Sequence, residues 1–252
     1  MRKIFSMIMV ALVALCVATS CELASGTDPN PNKANNLLWG RVKDAIYMQY
    51  DNFMVVAYLN DKLLNKEYVS DIYPSYELEV RDNIYTLNYG GSNYYAESYR
   101  IKTDGKRLDE GGEWLIYYRP STYAEYAKLG VATGIEGETA KFNLSIDNSA
   151  DGDSYYAYSY AAESEIEYEY GDVTERLEVK FNTFKGSTFD TASQLNYIIE
   201  FEVVEPLVFR TEIESGKVEI LYKDFVDNTS RSLSVVIVNR SVTFVTTNGS
   251  NW

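Results

Sequence analysis

The chain has no histidine, and only two of its 252 residues are cysteines, Cys16 and Cys21. Without histidine there is no general base for Ser-His-Asp or Cys-His catalysis and no imidazole ligand for zinc. No cysteine follows Cys21, so a disulfide framework and a zinc–cysteine site are excluded from everything downstream. Positive charge is scarce, with 23 Lys and Arg against 37 Asp and Glu and a formal net charge of −14. A field of that sign repels nucleic acid and anionic lipid surfaces, so no nucleic-acid partner is expected. The signatures G-x-S-x-G, S-x-x-K, the P-loop and G-x-G-x-x-G are also missing. Among common mechanisms, carboxylate chemistry and hard-metal binding remain.

The first 21 residues are the most informative part of what is present. Met1-Arg2-Lys3 precedes an apolar run from Ile4 to Ala18, which ends in Ala18-Thr19-Ser20-Cys21. A basic start, a short apolar segment and small residues at a cleavage point describe a secretory signal peptide. The run is too short to span a membrane. Small residues stopping at a cysteine resemble the lipobox of bacterial lipoproteins, although Ala18 replaces the commoner Leu. The resemblance implies that Cys21 becomes the new N-terminus and carries acyl chains such as palmitate. A membrane is then a partner through the lipid anchor, and several chains together anchor firmly. The alternative is an ordinary signal peptide cut near Ala18 or Ser20, which would leave Cys21 as a lone thiol in an oxidising compartment. Cys16 lies inside the apolar run and is removed with it. Loss of residues 1–20 takes away Arg2 and Lys3 and leaves 21 basic against 37 acidic side chains, a net charge of −16.

Three segments follow: residues 1–20 as signal peptide, 21–35 as a Ser/Gly/Asp/Pro/Asn-rich tether, and 36–252 as one folded domain. From Asn36 to about Leu64, Leu38, Val42, Ala45, Ile46, Gln49, Phe53, Val56 and Leu63 recur at spacings of three and four, one face of an amphipathic helix. Two strands meeting at Asp51-Asn52 are the alternative. From Tyr76 onward the pattern predicts strands: 76–80, 83–89, 94–103, 114–119, 139–146, 155–161, 164–170, 175–181, 197–204, 207–213, 217–223, 232–238 and 241–246. Tyrosine, at 23 residues, fits such a composition. Asp104-Gly105 and Asn239-Arg240 read as two-residue turns, Ser121–Leu129 as a helical turn or two, and 130–137 as a loop or internal boundary. The predicted fold class is mainly β, an antiparallel meander, sandwich or roll with one long N-terminal helix packed on it.

Four groups of residues are candidate sites. Asp147, Ser149, Asp151 and Asp153, with Gly152, resemble the first half of an EF-hand calcium loop. Tyr158 stands where the bidentate Glu belongs, so an Asp/Gly hairpin loop is the competing reading. No cofactor is expected unless that loop holds calcium. Tyr155, Tyr156, Tyr158 and Tyr160, with Trp114, could form an aromatic platform on which a glycan stacks, although tyrosines also alternate in ordinary strands. Asp190-Thr191-Ala192 is similar to an O-glycosylation site of exported proteins in some gut commensals, which makes Thr191 the acceptor. Glu163, Glu165, Glu167 and Glu169 put four acids on one strand face, the wrong environment for a glycosidase pair. Pairing Tyr170 with Glu175 would set Glu169 opposite Arg176, Glu167 opposite Glu178 and Glu165 opposite Lys180, with an apolar face beneath.

The chain resembles surface lipoproteins of Gram-negative gut commensals. The resemblance implies the bacterial cell envelope, as an outer-membrane lipoprotein on either the periplasmic or the surface face, and implies no activity. The expected role is non-enzymatic, binding or assembling with an envelope protein or another partner outside the cytoplasm. The alternative is a glycan-binding accessory lipoprotein. Cys21→Ser is expected to move the protein from the detergent phase to the soluble fraction. Equal partitioning of mutant and wild type would refute acylation.

Overall fold

The computed structural model describes residues 31–66, 76–89, 97–121, 123–148, 158–170, 177–190 and 197–246. The one long helix among the described residues, α1, runs Pro31–Leu63, starting earlier than the sequence pattern suggests. It ends in a Schellman motif. Asn65 adopts a left-handed φ of 56°. Its N–H donates to the Lys62 carbonyl at 3.1 Å, and the Lys66 N–H to the Asp61 carbonyl at 3.1 Å. Asn tolerates that conformation better than most residues with a Cβ, which explains why a helix can stop here without Gly or Pro.

The helix is not buried on one face only. Nine of the ten residues from Asn52 to Asp61 are buried, with Met54 half-buried. Ten consecutive residues point in every direction around a helix, so this stretch is enclosed on all sides. The exposed positions Lys33, Asn36, Lys43, Asp44, Asp51 and Lys62 form a narrow stripe. Enclosure comes from a sheet of twelve antiparallel strands in simple meander order. They are β1 Tyr76–Arg81, β2 Ile84–Tyr89, β3 Ser98–Thr103, β4 Glu113–Arg119, β5 Ala127–Gly134, β6 Lys141–Asp147, β7 Tyr158–Tyr170, β8 Leu177–Asp190, β9 Tyr197–Phe209, β10 Ile213–Asp224, β11 Thr229–Val238 and β12 Ser241–Thr246. The inner face carries the core. Phe53 stacks on Phe142 at 5.8 Å and meets Tyr168 edge-on at 5.4 Å, while Tyr50 stacks on Phe209 at 5.1 Å.

Several sequence expectations change. Residues 130–134 are not a loop or a boundary: they continue β5, which pairs with both β4 and β6. Gly134 misled because glycine signals a turn, yet here it permits close approach. A Cβ at Gly134 would lie 1.9 Å from the Leu108 carbonyl oxygen. Ser121–Leu129 contributes to β5 and not to a helix among the described residues. Asp104-Gly105 does not close a two-residue hairpin. The β3–β4 connection runs on through a short 3-10 turn, Leu108–Glu110, and Trp114 donates its Nε1–H to the Lys106 carbonyl at 2.9 Å to hold it. Asn239-Arg240 does form its tight turn, between Val238 and Ser241, with φ of 49° and 67°, as a type I′ turn requires.

The β7–β8 pairing keeps the predicted faces but slips by two residues. Tyr170 faces Leu177, Glu169 faces Glu178, and Glu167 faces Lys180. A slip of two leaves every side chain on its own face, whereas a slip of one would exchange the faces. Residues 171–176, which join the two strands, lie outside the described residues. Asn182 is an extra residue between the pairs Ile166–Phe181 and Glu165–Thr183. This bulge places both Phe181 and Phe184 in the core, at a spacing of three. The same break in period is why the sequence pattern alone ends this strand at Phe181.

Phe53 has no exposed surface and packs against the rings of Tyr50, Phe142 and Tyr168, so Phe53→Ala is expected to cost about 3–5 kcal/mol in a denaturant titration. A loss under about 1 kcal/mol would contradict its place in the core. The register makes a second prediction. A double-mutant cycle on Glu167 and Lys180 should give favourable coupling of about 0.2–1 kcal/mol that shrinks in high salt. Coupling at Glu169 with Arg176 and none at Glu167 with Lys180 would restore the pairing of Tyr170 with Glu175.

Candidate functional site

A concavity lies on the outer face of the sheet. A groove of 810 Å³ crosses β6 to β11, and a second of 490 Å³ joins it toward β5. The two share Ser145, Glu163, Lys185 and Glu202, so they form one trough. The ladders show how it is built. Ser145 faces Glu163, Glu163 faces Lys185, Lys185 faces Glu202, and Glu202 faces Glu219, a single row running across five strands. The next row holds Asp147, Ala161, Ser187, Glu200, Leu221 and Ser232.

Small residues lie at the floor of the trough. Gly186 lies against β7, where a Cβ would come within 2.4 Å of the Ala161 carbonyl oxygen. Gly186 shares the inward row of Ala162 and Phe201, so a side chain there would press on β7 beneath the trough and not enter it. Alternation does the rest, because the large side chains of these strands, Phe201, Ile220 and Phe184, all point inward.

The lining contains five carboxylates, Asp147, Glu163, Glu200, Glu202 and Glu219, and one cation, Lys185. Neighbouring lysines neutralise some of them. Lys185 lies 3.4 Å from Glu163, Lys223 is 2.7 Å from Glu200, and Lys217 is 3.2 Å from Glu219. On a solvated face such pairs are worth at most about 1 kcal/mol each, so a ligand can displace them cheaply. The trough therefore offers carboxylate and hydroxyl acceptors for hydroxyl or ammonium donors. Nothing in it shields a carboxylate from water as a general acid requires.

The sequence candidates fall elsewhere or only in part. Trp114 has no exposed surface and Tyr160 is 1% exposed. The Tyr160 hydroxyl accepts a hydrogen bond from Asn52 Nδ2 at 2.8 Å inside the sheet. Neither ring can stack on a sugar at the surface, because both lie on inward positions of their strands. Tyr155 and Tyr156 lie outside the described residues, as does the side chain of Tyr158. Asp147 is exposed at the end of β6 and lines the trough, while Ser149, Asp151 and Asp153 lie outside the described residues. No cluster of three or more metal-ligating side chains occurs among the described residues. Thr191 and Cys21 also lie outside them, and no described helix is long and apolar enough to cross a membrane.

Topology brings some of these candidates together. Tyr158 pairs with Asp190 and Asp147 with Ala161, so the strand ends bordering the calcium-like loop and Thr191 share one end of the sheet. The β10–β11 turn ends there too, with Phe225 58% and Val226 70% exposed. Asp224 shapes that turn by accepting from the Val226 N–H at 2.9 Å and the Asp227 N–H at 3.1 Å.

The trough was not found from the sequence. Its residues are ordinary outward positions of six strands, and only the register sets them side by side. No known family, characterised protein or solved structure matches the chain.

Proposed function

We propose that this protein is a non-enzymatic lipoprotein of the bacterial envelope, anchored through Cys21, that binds a partner outside the cytoplasm along the outer trough of its sheet. The observation that carries this reading is the 810 Å³ groove, open to solvent and lined by carboxylates and hydroxyls without a shielded pair. A site of this kind suits recognition of hydroxyl or ammonium groups more than bond breaking. The acidic composition and the absence of histidine support the same reading. The lipobox-like sequence supports the location.

The second reading, a glycan-binding accessory lipoprotein, uses the same trough in a different way. Ser145, Ser187 and Ser232 stand among the carboxylates, and sugar hydroxyls would donate to them. That reading now rests on polar acceptors, since Trp114 and Tyr160 are in the core.

A photo-crosslinking residue placed at Ser187 in cells is expected to yield a discrete adduct. The adduct should disappear when Glu200→Gln and Glu202→Gln are combined. A glycan array on the same variants separates the readings: binding lost at least tenfold in the double variant favours glycans, and a protein adduct without array binding favours assembly. No adduct from Ser187 together with no array binding would overturn both.

A further inference from the structure

The outer face of β3 and β4 departs from the acidity of the rest. Arg100 and Arg119 both lie against the ring of Tyr126, with guanidinium carbons 3.8 and 4.8 Å from its centre. The ring is fixed from below. Ser98 is fully buried and gives its one proton to Asn88 Oδ1 at 2.8 Å. The Tyr126 hydroxyl, 2.6 Å from Ser98 Oγ, is therefore the donor in that contact. Tyr126 is thus held at its far end while two cations lie against its ring.

Elsewhere arginines are paired: Arg107 with Asp109, Arg210 with Glu178 and Arg240 with Glu214. Among the described residues no carboxylate lies within ion-pair distance of Arg100 or Arg119. Glu97 and Glu125, adjacent to Ser98 and Tyr126 in sequence, form no ion pair with either arginine. Along the same row the first acid is Glu79, separated from Arg100 by the Thr86 position of β2. On the other side Tyr117 faces Arg100, and Lys128 faces Tyr117. Arg119 Nε is enclosed and has no acceptor. A chain with 37 acidic residues leaves two arginines unanswered side by side, although their mutual repulsion opposes it.

We propose that Arg100 and Arg119 form a binding site for a ligand that carries an oxyanion, meaning a carboxylate, sulfate or phosphate group. Their guanidinium carbons are under about 9 Å apart, since both lie close to one ring centre. One oxyanion between them can accept N–H donors from both, the planar geometry for which arginine is suited. Tyr126 keeps the two forks in place before the ligand arrives, which lowers the entropy lost on binding. Tyr117 and Lys128 occupy the next two positions of the row, and Lys128 adds a third positive charge. This site is separate from the trough and stands or falls independently of it.

The test is titration of the purified full chain, at matched ionic strength, with sodium sulfate, sodium phosphate and sodium glucuronate, using chloride as the control. The side-chain Nε–H signals of Arg100 and Arg119 should move saturably with at least one of the three, and calorimetry should give the affinity. Arg100→Gln and Arg119→Gln should each weaken that affinity at least tenfold. Arg240→Gln, a paired arginine far from the site, should leave it unchanged. Tyr126→Ala should weaken binding at least fivefold at an unchanged melting temperature, and Tyr126→Phe much less. The probe that binds most tightly identifies the anion: glucuronate points to an acidic sugar, sulfate or phosphate to an ester. Linear shifts equal to those of chloride for all three, or a double variant within twofold of wild type, would overturn the site.

Discussion

Enclosing the helix on all sides forces its polar side chains to find partners inside the sheet, and that constraint organises the molecule. Gln49, Asn52, Asn60 and Asp61 are all buried, and a buried polar group without a partner is strongly unfavourable. β7 supplies most of the partners. Gln49 Nε2 donates to Ser164 Oγ at 2.8 Å, Asn52 Nδ2 to the Tyr160 hydroxyl at 2.8 Å, and Asn60 Nδ2 to the Tyr168 hydroxyl at 2.8 Å. The Tyr168 hydroxyl in turn donates to Asp61 at 2.8 Å, and Tyr170 donates to the other Asp61 oxygen. Lys66, just past the helix, closes the network on Asp61 at 2.8 Å. Burial, then the Asp61 carboxylate, pushes the Tyr168 pKa up, so that hydroxyl keeps the proton it donates. These contacts fix β7, the seventh of twelve strands, against one side of the helix. The strands before and after it then wrap the remainder.

The abundance of tyrosine takes on a particular meaning in this light. Inward tyrosines such as Tyr160, Tyr168 and Tyr222 fill the core with their rings and satisfy polar groups with their hydroxyls. An interior built this way leaves the outer face free to carry charge. That face is divided. From β6 to β11 carboxylates line a trough with lysines beside them, while on β3 and β4 two arginines share one tyrosine. The two surfaces carry opposite charge, although they belong to the same sheet.

Much of the β architecture was legible because its signals are local. Alternation along β4, β6 and β12 and the Asn239-Arg240 turn need only neighbouring residues to be read. The misses have physical causes as well. Glycine marks turns, but Gly134 serves contact with the Leu108 carbonyl. The bulge at Asn182 breaks the period of two in the middle of β8. Pro206 divides the pattern of β9 without ending the strand. In the β7–β8 hairpin, the two-residue periodicity fixed the faces, but it could not tell two registers apart when they differ by two residues. Candidate sites fared worst. Trp114 and Tyr160 are chemically suited to stack on sugars, yet their strand positions turn them inward.

By itself the sequence determined that no histidine of this chain can act as base or ligand, because folding cannot supply a residue the chain does not contain. It also determined a long helix followed by many strands, because apolar periodicity is a property of consecutive residues, but not that β7 to β10 run on for 12 to 14 residues each. Only the tertiary structure decided that the helix is enclosed and not merely covered, since that depends on how far the meander curves. It alone set Glu163, Lys185, Glu202 and Glu219 in a row and brought Arg100 and Arg119 onto the same ring. Those contacts join residues far apart in the chain, and their geometry follows from ladder register, which no short window of sequence contains.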